Sequence, residues 1–201
     1  MLFHNRSKQA QDGFTIPELL IVMVVATFVS ISMFLFANAL ISRYFPLEDE
    51  GVSFSEMSRS SQRIASVVRG LTDITQATSN GMTIYSYFSP SDTYVSLVSY
   101  YINNNKLMAD VTPMNANPPT GTPITANKKT YTIVSNLYLP GGLQLFVYLD
   151  ETGTPLTLPI ADLHTVKGIQ INLGIPLTTP SRNGSDTISL QVSLRNRKTN
   201  L

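Results

Sequence analysis

The chain contains no cysteine, so no disulfide staples it and no thiol is on hand for chemistry. Histidine is nearly as scarce, with His4 and His164 the two among 201 residues. A zinc site of the histidine–cysteine kind is therefore disfavoured. His164 has no companions in sequence that mark a catalytic group and reads as a surface or loop histidine ahead of a strand. Serines are abundant, but no Gly-x-Ser-x-Gly turn presents one as a nucleophile. Charge is thin and balanced, 13% of residues, with 14 basic against 13 acidic. That balance argues against bulk attraction to nucleic acid or anionic lipid. These absences point away from an enzyme, and no cofactor or metal is expected.

Charge is missing altogether from Leu19 to Ile41, a run of 23 residues. As a helix rising about 1.5 Å per residue, such a run covers about 34 Å, enough for a hydrocarbon core of about 30 Å. It is opened by Gly13-Phe14-Thr15-Ile16-Pro17-Glu18-Leu19-Leu20. For a helix beginning at Phe14, Pro17 falls in the first turn, where backbone N–H groups have no intrahelical partner and proline is tolerated. Glu18 sits just inside the run. A carboxylate costs about 2.5–3.5 kcal/mol at the centre of a span, so near one end it is cheaper but still calls for a partner. A secretory signal peptide has an apolar region of roughly 7–15 residues before a small-residue cleavage site, whereas this run continues through Phe34, Leu35 and Phe36. An ordinary single-span anchor explains the length, but not the glycine, proline and glutamate standing together. Arg6 and Lys8 precede the run, and Arg43 followed by Glu48, Asp49 and Glu50 comes after it. The excess of basic residues on the near side places that side in the cytoplasm and exports the bulk of the chain.

Gly13-Phe14 followed by Glu18 and an uncharged run resembles the processing signal of type IV pilins and type II secretion pseudopilins. The resemblance implies that a prepilin peptidase cuts between Gly13 and Phe14 and methylates the new Phe14 amine. It also implies that Glu18, fifth residue of the mature chain, neutralises the N-terminal amine of a neighbouring subunit. The physics is compatible, because an amine at a helix N-terminus opposes the helix dipole and a carboxylate there offsets it. Divided accordingly, residues 1–13 are the leader, 14–45 the transmembrane and assembly helix, and 46–201 an extracytoplasmic domain. Loss of the leader would take the formal count to 12 basic and 12 acidic.

Beyond Pro46, the acidic run and Gly51 are expected to interrupt the helix, with Ser53 or Ser55 capping a second, amphipathic one over about 53–78. Met57, Ile64, Val67, Val68, Leu71 and Ile74 recur at three- and four-residue spacing. From Ser79-Asn80-Gly81 the period changes. Strands are expected at Met82–Phe88 and Thr93–Ile102, and Asn103-Asn104-Asn105 turns a hairpin into Lys106–Val111. Residues 112–129 carry four prolines and read as a long loop. Strand signals return at Thr130–Ser135 and Leu143–Leu149, then at Pro155–Leu158, Val166–Leu173 and Thr187–Leu194. The fold class is α+β: a long hydrophobic N-terminal helix continuing into an amphipathic helix packed on an antiparallel sheet, the pilin fold in the terms of the resemblance. The stretch from Phe146 to Pro155 and the end at Val192-Ser193-Leu194-Arg195-Asn196 resemble minor pilins and J-type minor pseudopilins. Leu35 stands where many major pilins carry a proline.

The resemblance thus implies a structural minor subunit of a type IV pilus, competence pilus or type II secretion pseudopilus, seated at the fibre tip. Its partners would be other pilin or pseudopilin subunits, the peptidase, an inner-membrane platform protein, an assembly ATPase and, before assembly, membrane lipid. The alternative is a single-pass, membrane-anchored extracytoplasmic binding domain or hydrolase with an uncleaved N-terminus. Competence pilins bind DNA, but Lys128-Lys129 and the group Arg195, Arg197 and Lys198 are short clusters on a neutral chain, so DNA contact is disfavoured. Asp150 and Glu151 could hold calcium, though a hairpin turn explains them better. Asn183-Gly184-Ser185 fits both a glycosylation pattern and a turn.

Overall fold

The computed structural model describes residues 13–177 and 184–194, with the backbone alone given at Arg43, residues 45–50 and Leu177. Residues 1–12 of the expected leader, Asn183, and the cluster Arg195, Arg197 and Lys198 lie outside the described residues. The chain forms two compact units, Met1–Pro46 and Leu47–Leu201. Helix α1, Ile16–Arg69, is a single element of 54 residues that contributes to both.

The expected interruption at Pro46 and Gly51 is absent, since the backbone is helical through both. Ser53 and Ser55 are helix interior, not caps. An interior proline removes one backbone donor and an interior glycine costs about 0.5–1 kcal/mol, which weakens a helix without having to end it. The amphipathic continuation supplies the offset, because Met57, Ile64, Ala65, Val67 and Val68 are buried, and full burial of one such large side chain contributes about 1.5–3 kcal/mol.

The helix also stops earlier than expected, at Arg69 and not near residue 78. Gly70 N and Leu71 N donate to Val67 O and Val68 O at 3.2 and 3.1 Å, tightening the last turn. Thr72 N then donates to Tyr85 O at 2.8 Å, and the chain has joined a sheet. Ile74 is buried as expected, but on a strand.

Strands β1 (Asp73–Thr78), β2 (Gly81–Ser86), β3 (Ser96–Asn103), β4 (Lys106–Pro113) and β5 (Lys129–Val134) form an antiparallel meander in that order. Alternation aims one face inward: Ile74 pairs with Ile84, Ile84 with Val98, and Val98 with Val111, all buried. The β3–β4 hairpin turns on Asn104 and Asn105, both at positive φ, 48° and 56°. Two such residues between paired Asn103 and Lys106 make a type I′ turn, whose twist suits a hairpin. Strands β6 (Phe146–Leu149), β7 (Gly168–Leu177) and β8 (Gly184–Ser193) form a second antiparallel sheet. Pro155 makes only an isolated bridge to Leu149, so Pro155–Leu158 is not a strand.

Both sheets and the C-terminal part of α1 share one core. Ser60 Oγ donates to Ile133 O at 2.7 Å and Ser86 Oγ to Val67 O at 2.6 Å, fastening helix to meander. The second sheet is joined to the β1–β2 turn: Phe146 N donates to Ser79 O at 3.0 Å, and the Tyr148 hydroxyl reaches Thr78 O and Gly81 O, each at 3.1 Å. A helix packed on antiparallel sheets is the α+β arrangement expected from sequence, with two sheets where one was anticipated.

Candidate functional site

In the first unit, Gly13, Phe14 and Thr15 precede the helix in non-helical backbone. Leu19 N donates to Thr15 O at 3.1 Å, which puts Thr15 at the N-cap position. Pro17 is then the second helical residue, inside the first turn where its missing donor costs nothing. Glu18 follows in the same turn, at the positive end of the helix dipole. A side chain built on Gly13 would meet nothing within 4 Å, and Phe14 is 80% exposed.

Every residue from 13 to 42 is exposed within the chain. Ile16–Ser42, 27 residues with a mean hydropathy of 2.7 over an 18-residue window, is the one helix among those described that is long and apolar enough to cross a membrane. Its hydroxyls are already spoken for. Thr27 Oγ1 donates to Met23 O at 2.6 Å, Ser30 Oγ to Ala26 O at 2.8 Å and Ser32 Oγ to Phe28 O at 2.9 Å. Such back-bonding within the helix lets a hydroxyl enter hydrocarbon without an orphaned polar atom. An apolar surface of this extent is not stable in water by itself, and lipid or other apolar helices would cover it. What stands out chemically is a carboxylate at one end of that surface, able to receive a cation.

No protein-family model and no curated protein matches this chain.

The other candidates lie in the second unit. Asp150 Oδ1 accepts from Thr152 N at 2.8 Å, Thr152 Oγ1 at 2.7 Å and Thr154 N at 2.8 Å. The Thr152 hydroxyl, with the backbone of Thr154 and Thr152, holds the Asp150 carboxyl below its ordinary range. That is the turn role, in which the carboxylate spends its lone pairs on its own loop. His164 is exposed on a short 3₁₀ turn, Leu163–Thr165, where Asp162 Oδ1 caps His164 N at 2.9 Å. It borders a cleft of ≈480 Å³ with Asp73, Tyr87 and Asn117. Gly13, Phe14 and Glu18 are near neighbours along the chain in the first unit, and these other candidates belong to the second.

Two features escaped the sequence reading. Lys128 is ion-paired to Asp110 Oδ2 at 2.6 Å, while Thr130 Oγ1 and the Tyr101 hydroxyl donate to Oδ1 at 2.7 and 3.2 Å. Partial burial works to raise the Asp110 pKa, but the bonds from Lys128, Thr130 and Tyr101 outweigh it and leave it lowered. The hydrogen bond to Asp110 raises Lys128 in turn. Lys128, just ahead of β5, is thus a structural partner of β4. Second, Phe88, Tyr94 and Tyr131 line a small cleft of ≈290 Å³ with Asp92 and Lys129. The Phe88 and Tyr131 rings are 5.1 Å apart, and the Arg63 guanidinium lies 4.8 Å from the Phe88 centroid. Both draw on residues far apart in the chain, so only spacing across strands, not along them, could have flagged them.

Proposed function

We propose that this protein is a prepilin-like structural subunit, processed between Gly13 and Phe14 and assembled through its N-terminal helix. One observation carries the reading: Glu18 stands in the first turn of α1, at the head of its exposed apolar stretch Ile16–Ser42, and the Gly13-Phe14 bond lies just before that turn in non-helical backbone. A peptide bond outside a helix can be threaded into a protease without unwinding anything. In this reading the leader is cytoplasmic and the second unit is exported. The new Phe14 amine is methylated, and Glu18 receives the amine of a neighbouring subunit as both leave the membrane. Charge pairing in a low-dielectric setting favours that meeting over two separated ions. A minor, tip-located role in a type IV pilus, competence pilus or type II secretion pseudopilus follows from the C-terminal resemblance, with a platform protein and an assembly ATPase as partners.

Intact-mass analysis of protein expressed with a prepilin peptidase tests it. The expected product begins at methylated Phe14. A chain still carrying Met1 would sink the proposal in favour of an anchored extracytoplasmic domain with an uncleaved N-terminus. Gly13→Leu should block cleavage. Glu18→Ala should be cleaved yet fail to enter fibres, and normal incorporation would remove Glu18 from the assembly contact.

A further inference from the structure

Sheet edges are where backbone donors and acceptors stay open to other chains, and proteins ordinarily protect them. Three of the four edges here are protected. Edge strand β1 has six residues, a register shift between Ile74 and Gln76 and a charge at Asp73. Edge strand β5 has six residues, begins with Lys129 and adjoins a shift between Leu107 and Met108. Edge strand β6 has four residues, and the returning chain bridges to Leu149 through Pro155.

Strand β8 is the least protected of the four, with a single charge at Asp186. It runs ten residues, Gly184–Ser193, without proline, lysine or arginine. Its ladder to β7 is regular from Gly168↔Ser193 to Leu177↔Gly184 with no shift. Among the described residues, no backbone group pairs with its outer side. Ile188 and Leu190, on the core-facing side, are only half-buried and pack at the margin of the core. A further strand laid alongside would cover them.

The geometry points to β8 as a docking edge for the β8 of a second copy, antiparallel and centred on Ser189. That occupant is favoured because β8 complements itself. The register sets Ile188 against Leu190 twice on the core side, and Thr187 against Gln191 and Ser189 against itself on the outer side. Asp186 faces Val192, which keeps the two carboxylates about 20 Å apart along the strands at about 3.4 Å per residue. Parallel or one-residue-shifted pairings lose this match, because a slip of one residue exchanges the faces. The inference does not depend on N-terminal processing.

The absence of cysteine makes the test clean. Ser189→Cys, Thr187→Cys, Gln191→Cys and, on the opposite sheet's edge, Thr132→Cys are made in the full chain in detergent micelles and oxidised mildly. Across the two-fold, residue 189 meets its copy at a Cα separation of about 4.5–5.5 Å, inside the disulfide range, whereas 187 and 191 each stand about 14 Å from their own copies. Ser189→Cys is expected to give roughly tenfold more linked dimer than the other three single variants, and Thr187→Cys/Gln191→Cys together should link as Ser189→Cys does. Equal linkage at 189 and 132, or a linked product whose mass shows another protein, overturns the proposal. Independently of any substitution, amide exchange at 184–193 in the unaltered chain should slow as the protein-to-micelle ratio rises, and exchange that does not respond also overturns it.

Discussion

Tyr148→Phe isolates the bond that ties the second sheet to the first. The side chain is 1% exposed, and its hydroxyl donates to Thr78 O and Gly81 O at 3.1 Å. Gly81 O keeps a second donor in the variant, Thr78 Oγ1 at 2.8 Å. Gly81 O is therefore not left without a partner, and the loss should be close to the net worth of one hydrogen bond, about 1 kcal/mol. For a unit of this size that lowers the melting temperature by about 2–4 °C. A pH signature accompanies it. Burial pushes the Tyr148 phenol well above its ordinary 10, and burial does the same to Tyr100. Folded protein therefore holds these protons where unfolded chain has released them, so stability is full below about pH 10 and falls as pH rises beyond it. Each such phenol contributes at most about 1.4 kcal/mol per pH unit in that window. Tyr148→Phe should fall less steeply above pH 10 than the unaltered protein, with the raised phenols of Tyr100 and Tyr101 still contributing. Urea unfolding followed by near-ultraviolet circular dichroism reports this directly, since the chain has nine tyrosines and no tryptophan. An unchanged midpoint at neutral pH together with an unchanged alkaline slope would refute the reasoning.

Gly174→Ala should destabilise by about 1–3 kcal/mol, because the new methyl would overlap the Tyr138 carbonyl oxygen while Tyr138 N is bonded to Gly174 O at 2.8 Å. A lower urea midpoint at constant slope checks it. Asp110→Asn should flatten the acid limb of the stability curve. With its pKa lowered on folding from the ordinary 3.8, Asp110 contributes stability that is present above that value and lost as pH falls through the folded one. An acid limb identical to that of the unaltered chain would show the Lys128 pair to be inert.

Where residues act locally, their sequence was readable. The Asn103-Asn104-Asn105 turn, a strand over much of Met82–Phe88 and the apolar span all appeared where expected, because each is a property of neighbours in the chain. Strand β1 was hidden for a definite reason. Ile74 continues the spacing of Ile64, Val67 and Leu71, so helical periodicity runs on past the end of the helix. The stop signal was present in Arg69-Gly70, a basic last turn followed by glycine. Pro46 and Gly51 misled in the opposite direction, since packing of Met57 through Val68 stabilises the helix against weak positions that local rules alone would end it on. The division into two sheets rests on which distant strands pair, and no local pattern carries that. The same contrast separates Glu18, flagged by its neighbours in the chain, from Asp110, whose partners come from strands β3 and β5 and from the turn that leads into β5.

The serine bonds that fasten α1 to the meander have a mechanical consequence. Tension applied to the N-terminal side of the chain enters the second unit along helix backbone and reaches the core at Met57–Val68. There Ser60 is held by β5 and Val67 by β2, two strands separated in sequence by more than forty residues. Load is shared between remote parts of the chain instead of peeling one strand at a time. Release would require these cross-links and the apolar contacts around them to shear together. A domain whose first helix is fastened in this way resists having that helix stripped from it by pulling.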